Sequence, residues 1–276
     1  MKPMKNLPLT RGVKGLSVAA VLAIAMAPAT GFATAIGVSW SGDVYTIDET
    51  TGVGSFLGAS GFSELNSAAA DSVGTVFSST DLELVTIDST SGLGTGVVSY
   101  SAPFSNGIRG LAFADDDTLY ALADTGPLGS LGPDSLYTVD IGTGNFTLVG
   151  STGLTDVQGL AFSASGDLFA WDITSGLMSL DLTTGFATDV GAAAGISGIQ
   201  ALEFGADGTL FGGRDELYSI DTATGAWSLI GGGGYSDVRG LAIASAAVPE
   251  PGAFALMGLG LVSIAAAKRW CYRRTS

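Results

Sequence analysis

Val44-Tyr45-Thr46-Ile47-Asp48 followed by Glu49-Thr50-Thr51-Gly52 is the stretch on which the fold turns, because it recurs. Leu84-Val85-Thr86-Ile87-Asp88, Leu136-Tyr137-Thr138-Val139-Asp140, Leu177-Met178-Ser179-Leu180-Asp181 and Leu217-Tyr218-Ser219-Ile220-Asp221 repeat it, with the aspartates 40, 52, 41 and 40 residues apart. Four residues after each Asp stands a glycine: Gly52, Gly92, Gly144, Gly185 and Gly225. Apolar side chains alternate within each five-residue run, the period of a strand. Asp-x-x-x-Gly is hairpin chemistry: the carboxylate bonds forward to turn amides and the glycine takes positive φ in a bulged turn. A further strand follows, as in Phe146-Thr147-Leu148-Val149-Gly150 and Trp227-Ser228-Leu229-Ile230-Gly231.

Between these hairpins lies a second recurring piece. It reads Arg109-Gly110-Leu111-Ala112-Phe113, Gln158-Gly159-Leu160-Ala161-Phe162, Gln200-Ala201-Leu202-Glu203-Phe204 and Arg239-Gly240-Leu241-Ala242-Ile243, with Asn66-Ser67-Ala68-Ala69-Ala70 as a degenerate copy. Small residues beside large apolar ones suit an innermost strand where backbones crowd. A turn then leads into Asp167-Leu168-Phe169-Ala170 or Thr209-Leu210-Phe211-Gly212. Four short strands at a period near 40 form the blade of a β-propeller. Ile36-Gly37-Val38-Ser39-Trp40 matches the second strand of a unit and Leu241-Ala242-Ile243 the first, so the two ends complete one blade and remove exposed sheet edges. The expectation is all-β: a five-bladed β-propeller of four-stranded blades, closed by pairing of N- and C-terminal strands. A six-bladed ring or a β-solenoid are the competing architectures. The repeats are similar in a general way to those of quinoprotein- and NHL-type propellers, without a diagnostic motif of either.

The ends of the chain read differently. Lys2, Lys5, Arg11 and Lys14 precede an apolar stretch from Gly15 to Ala27, and Ala33-Thr34-Ala35 offers small residues at the −3 and −1 positions. Residues 1–35 therefore read as a secretory signal peptide cut after Ala35, leaving 36–247 as the propeller and 248–276 as a distinct tail. That tail runs Val248-Pro249-Glu250-Pro251, then an apolar segment from Gly252 to Ala267, then Lys268-Arg269-Trp270-Cys271-Tyr272-Arg273-Arg274. In lipid such a segment must satisfy its backbone internally, so a C-terminal transmembrane helix is expected. Sixteen residues rise about 24 Å, short of a hydrocarbon core of roughly 30 Å. Interfacial Trp270 and Tyr272 and snorkelling Lys268 and Arg269 compensate, and the basic stub stays on the cytoplasmic side.

The tail resembles the PEP-CTERM sorting signal of Gram-negative, biofilm-forming bacteria in the order Pro249-Glu250-Pro251, apolar helix, Arg273-Arg274. The resemblance implies export through the Sec machinery, an inner-membrane intermediate held by residues 252–267, recognition by an exosortase with processing near Val248–Pro251, and release or transfer to the cell surface. It also implies association with extracellular polysaccharide. A permanently membrane-anchored receptor is the alternative.

Composition narrows the chemistry. Residues 36–247 hold three basic residues, Arg109, Arg214 and Arg239, against 25 of the 26 acidic ones, a formal −22 against −15 for the whole chain. Such a field disfavours nucleic acid and anionic lipid surfaces. There is no histidine, and the single Cys271 lies in the tail. Serine–histidine and cysteine–histidine catalysis and the usual zinc sites are thereby excluded. No enzyme activity and no cofactor are expected. A carboxylate hydrolase using Glu203 with Asp172 or Asp215 is the enzymatic alternative.

Stacking the inner strands aligns Asn66, Arg109, Gln158, Gln200 and Arg239 around one mouth of the ring, a candidate site for a hydroxyl-rich or anionic ligand, polysaccharide or peptide. The competing reading pairs these side chains with Asp156, Asp237 or loop carbonyls. Asp115-Asp116-Asp117 is a candidate for Ca²⁺ oxygen ligands, although its spacing departs from an EF-hand loop and an ordinary solvated turn accounts for it as well. The long interval between Asp88 and Asp140 contains two insertions, at Ser101–Asn106 and Asp124–Asp134.

Overall fold

The computed structural model describes residues 34–243, apart from 102–103, 105–106, 127–131 and 192–193. Its strands in chain order are β1 (Thr34–Ser39), β2 (Asp43–Asp48), β3 (Gly54–Ala59), β4 (Ala68–Ala70), β5 (Val76–Ser79), β6 (Glu83–Ile87), β7 (Gly94–Ser99), β8 (Ile108–Phe113), β9 (Leu119–Asp124) and β10 (Asp134–Val139). Then follow β11 (Phe146–Ser151), β12 (Val157–Phe162), β13 (Leu168–Asp172), β14 (Gly176–Leu180), β15 (Ala187–Asp189), β16 (Ala201–Phe204), β17 (Leu210–Gly213), β18 (Glu216–Ile220), β19 (Trp227–Gly232) and β20 (Val238–Ala242).

They form five four-stranded antiparallel sheets: β20-β1-β2-β3 (blade 1), β4 to β7 (blade 2), β8 to β11 (blade 3), β12 to β15 (blade 4) and β16 to β19 (blade 5). Inner strands β4, β8, β12, β16 and β20 each neighbour the next, and β20 returns to β4. The ring is a five-bladed β-propeller, as its repeats predict. Closure is made by β20 on β1, in the register Ile36↔Ala242, Gly37↔Leu241 and Val38↔Gly240. β1 begins at Thr34, two residues before the expected domain start, and Ala35 is buried in the core of blade 1. The expected cut after Ala35 thus falls inside the strand. The tail elements from Val248 to Arg274, and the expected transmembrane helix with them, lie outside the described residues.

Five apolar cores fill the five seams between blades. One of them packs Tyr45, Ile47 and Leu241 of blade 1 on Phe211 and Leu217 of blade 5. Another sets the fully buried Trp171 of blade 4 against Leu202 and Leu210 of blade 5. Burial falls from the axis to the rim. β13 and β17 are buried at every position, whereas the outermost strands expose Phe56, Leu148 and Leu229.

The axis explains the small residues of the inner strands. A Cβ on Gly240 would stand 2.2 Å from Ala68 N and 2.3 Å from Ser67 C, and one on Gly110 would stand 2.8 Å from Gly159 C. Blades this few in number bring main chain against main chain. The free space at the axis, its open mouth included, is about 140 Å³ and leaves no room for the centre of a water molecule. Ligand pockets run to about 300–1,000 Å³.

The Asp-x-x-x-Gly runs are hairpin turns. Asp48 Oδ1 accepts from the Thr50 and Thr51 amides, both at 2.9 Å, while Gly52 N donates to Asp48 O at 2.8 Å. Asp88, Asp140, Asp181 and Asp221 repeat the arrangement. The hydroxyl and amides of Thr90, with those of Ser91, hold the Asp88 carboxyl down at about 2. All these turns lie at one end of the ring, where β2, β6, β10, β14 and β18 finish. The loops between blades lie at the other end.

Candidate functional site at the loop-bearing face

Inner strands start at the loop-bearing face, so Asn66, Arg109, Gln158, Gln200 and Arg239 all come to this face at equivalent positions. Both insertions open here too, since Ser101–Asn106 precedes β8 and Asp124–Asp134 joins β9 to β10. The five residues differ in what they touch.

Arg109 is held by the protein. Its Nη1 donates to Asp156 Oδ1 and its Nη2 to Asp124 Oδ2, each at 3.0 Å, and its side chain is 11% exposed. Asp124, fully buried, also accepts from the amides of Gly126 and Gly132 through Oδ1, at 2.7 and 3.0 Å. One carboxylate therefore anchors the arginine and both limbs of the insertion. Asp134 closes the same group, accepting from Val157 N at 2.7 Å. Burial, foremost, and then the charges of Asp124 and Asp156 push Asp134 up to about 7, against the opposing pull of the Val157 amide and Arg109. Gln158 Nε2 donates to Asp156 Oδ1 at 3.1 Å. For Arg109 and Gln158 the structure realises the internal pairing rather than an open anion site. Asn66 and Gln200 are buried, and their carbonyl oxygens Oδ1 and Oε1 have no hydrogen-bond partner among the described residues.

Arg239 is different. It stands at the seam of blades 1 and 5, and the turn Arg214-Asp215 between β17 and β18 reaches it from the neighbouring blade. Arg239 Nε donates to Asp237 Oδ1 at 2.8 Å, and Arg214 Nε donates to that same oxygen at 3.1 Å. Asp237 N in turn donates to Asp215 Oδ1 at 2.8 Å, and Val238 N to Arg214 O at 2.9 Å. Asp237 adopts a left-handed φ of 49°, which non-glycine residues take up at a cost. Burial raises its carboxyl, but the hydrogen bond and charge of Arg239 and the charge and hydrogen bond of Arg214 outweigh this and hold it below the usual range. Trp40, at the end of β1, lies under the guanidinium of Arg239 at 5.3 Å, and Trp40 N donates to Asp237 O at 3.2 Å.

Each arginine is thus fixed through Nε alone. Among the described residues no Nη of Arg214 or Arg239 takes a hydrogen-bond partner, and the two side chains are 31% and 22% exposed. Two planar donor forks converge on one seam, steered by one carboxylate and backed by one indole. Of this group the inner-strand alignment finds Arg239 alone. Arg214 lies in a two-residue turn off that alignment, although as one of only three arginines in the domain it was the available signal. Trp40 looks from its sequence like a strand end.

The remaining candidates are placed elsewhere. Asp115-Asp116-Asp117 forms the turn between β8 and β9, at the end of the ring away from the loops. Asp116 Oδ1 accepts from Thr118 N at 3.0 Å. Asp117 clips blade 3 to blade 2, taking Ser72 N at 2.9 Å and Ser72 Oγ at 2.8 Å. The three carboxylates do not converge, and among the described residues no group of three or more is placed to hold a metal ion. The run is thus a turn with an inter-blade clip. Glu203 sits beside the 205–209 turn, at the end opposite Asp215, and its carboxylate accepts from Phe204 N at 2.8 Å. Burial, then the charge of Glu49, pushes it up to about 8, with the amides of Phe204 and Ile243 opposing. Asp172 meanwhile caps the turn after β13 through the amides of Thr174 and Ser175.

Comparison with known proteins joins this geometry to the tail. Residues 247–269 match the PEP-CTERM protein-sorting motif. The chain is therefore a five-bladed β-propeller bearing that motif, which implies export and exosortase processing at the membrane. A search of curated proteins finds no match. Solved structures of similar fold include a symmetrical protein of de novo evolutionary emergence, at 15% identity over 75% of this chain and 97% of that one, with a TM-score of 0.52. The nidogen/laminin complex follows at 15% identity over 76% and 84%, with a TM-score of 0.50. The PQQ-bound aldose sugar dehydrogenase of Streptomyces coelicolor has 20% identity over 77% and 82%, with a TM-score of 0.48. At these identities the likeness concerns the fold alone.

Proposed function

We propose that the protein is a cell-surface or extracellular-matrix interaction module that, once exported and processed, binds extracellular polysaccharide through the loop-bearing face. The observation that carries this reading is the pair of guanidinium forks, Arg214 and Arg239, converging at the seam of blades 1 and 5 beside Trp40. Arginine's planar donors suit carboxylates and vicinal hydroxyls, and an aromatic ring supplies rigid apolar contact.

The path of the chain supports it. β1 starts and β20 ends at the hairpin end of the ring, and the strands span about 16 Å from there to the loop-bearing face. The polypeptide that leads to the sorting motif leaves after Ile243, on the side away from the arginine pair. A domain tethered or released through that segment presents its loops and its arginines outward.

Two measurements test the reading. Glycan-array binding of the purified chain is expected, with loss in an Arg214→Ala, Arg239→Ala double variant that still unfolds cooperatively and keeps the parent's circular dichroism. Equal binding by parent and variant refutes the site. Mass spectrometry of the surface-extracted protein is expected to show a C-terminus near Val248–Pro251; a chain intact to Ser276 at the surface favours the anchored receptor instead.

A further inference from the structure

Resting on the saccharide reading above, we propose that the Arg214–Arg239 seam is a subsite for a sugar acid, taking the carboxylate of a uronate residue and its adjacent hydroxyls. The geometry supplies both halves of that recognition. Nε of each arginine is spent on Asp237 Oδ1, which leaves the Nη groups of both part-exposed forks without a hydrogen-bond partner among the described residues, the kind of donors that grip a carboxylate through parallel charge-assisted hydrogen bonds. Asp215, whose side chain is 57% exposed, lies 3.7 Å from Arg214 through Oδ2 and stands ready to accept from hydroxyls. Donors for an anion and an acceptor for hydroxyls therefore sit within one side chain of each other. That pairing fits a ring bearing both groups. A run of acidic side chains in a peptide uses the donors and leaves Asp215 facing like charge.

Charge decides the ligand's density. The domain carries −22, and this seam gathers two of its three arginines, Arg214 and Arg239, against Asp215, Asp237 and the exposed Glu216, so it is less negative than the domain as a whole. One carboxylate among neutral hydroxyls is accommodated there, while a densely charged polyanion meets the surrounding field within a Debye length of roughly 8–10 Å. Arg109 cannot serve the same purpose, since both of its Nη nitrogens are already committed to Asp124 and Asp156.

The test uses the full-length chain in detergent and three probes: an oligosaccharide with a single glucuronate, its carboxyl-reduced glucose counterpart, and a short glutamate peptide. Calorimetry is expected to show the glucuronate form binding at least about tenfold more tightly than the reduced form, the scale of a charge-assisted pair. Arg214→Lys and Arg239→Lys keep the charge and lose the fork, and each is expected to bring glucuronate binding to the level of the reduced sugar with melting temperature unchanged. Equal affinity for the two sugars overturns the carboxylate subsite and leaves the polysaccharide reading standing. Binding of neither sugar overturns both, and preference for the glutamate peptide overturns the sugar assignment.

Discussion

Replacing Gly240 with alanine probes the crowding on which the five-bladed ring depends. The new methyl would lie 2.2 Å from Ala68 N and 2.3 Å from Ser67 C, where ordinary contact is 3.4–4 Å. Main chain must therefore retreat by more than 1 Å at the junction of blades 1 and 2, and no flexible side-chain tip is there to yield. Overpacking costs about 1–3 kcal/mol, and rigid neighbours put this case at about 3. The alanine also narrows the unfolded ensemble, a gain of about 0.4–1 kcal/mol. A net loss of about 2 kcal/mol lowers the melting temperature of a domain this size by roughly 4–8 °C. Gly142→Ala is the control. Its Cβ would meet only Asp140 Oδ1 at 3.4 Å, and the equivalent turn position in blade 5 is already Ala223. Thermal unfolding followed by circular dichroism should leave this control within about 2 °C of the parent. If Gly240→Ala melts with the control, the inner strands are not packed as described and the closed bore is wrong.

Glu203 holds its proton to about pH 8 in the fold against 4.5 unfolded. Between those values the folded state binds more protons, so its contribution to stability is complete below pH 4.5 and lost as pH rises through 8. Denaturant titrations of Glu203→Gln should show a flatter decline from pH 6 to 9 than the parent; identical slopes refute the assignment. Asp124→Ala removes a fully buried partner of Arg109 and the acceptor for Gly126 and Gly132. It should destabilise by about 3–5 kcal/mol, read as a lowered urea midpoint, and a loss under 1 kcal/mol would show that the cluster is not a tie.

The architecture was legible because a propeller writes each blade separately. The Asp48, Asp88, Asp140, Asp181 and Asp221 turns each satisfy themselves locally, so five copies of one local rule could be counted along the chain. Closure was legible for the same reason: Ile36–Trp40 and Leu241–Ile243 are recognisable halves of one unit. The site was legible only in part. Stacking the inner strands brings Arg109 and Arg239 to the same level, and the nearby Asp156 and Asp237 are readable as their partners, but two further contacts are not. Asp124 reaches Arg109 from the end of its own blade's second strand, and Arg214 reaches Asp237 across a seam. Both are tertiary contacts between non-equivalent positions, which a repeat alignment is built to ignore. Around the boundary at Ile36 two signals overlap: Ala33-Thr34-Ala35 has peptidase-type small-residue spacing, and Thr34 and Ala35 also pair in β1, with Ala35 on its buried face.

The two ends of the ring differ, and the difference underlies the site proposed above. At the hairpin end every blade repeats one Asp-x-x-x-Gly turn whose carboxylate is spent on its own amides, Asp117 ties blade 3 to blade 2 from a left-handed φ of 61°, and the buried Glu49 Oε1 has no partner among the described residues. At the loop-bearing end the repeat breaks. Both insertions, all three arginines, the left-handed Asp237 and the orphan carbonyl oxygens of Asn66 and Gln200 gather there. Strained and unsatisfied groups cost stability wherever they lie, and both ends carry them, so what sets the loop-bearing end apart is its arginines and its insertions. Recognition is expected where irregular loops stand on a regular scaffold. Under the function proposed above, the ligand meets the loop-bearing end, since the described chain stops at Ile243 on the other.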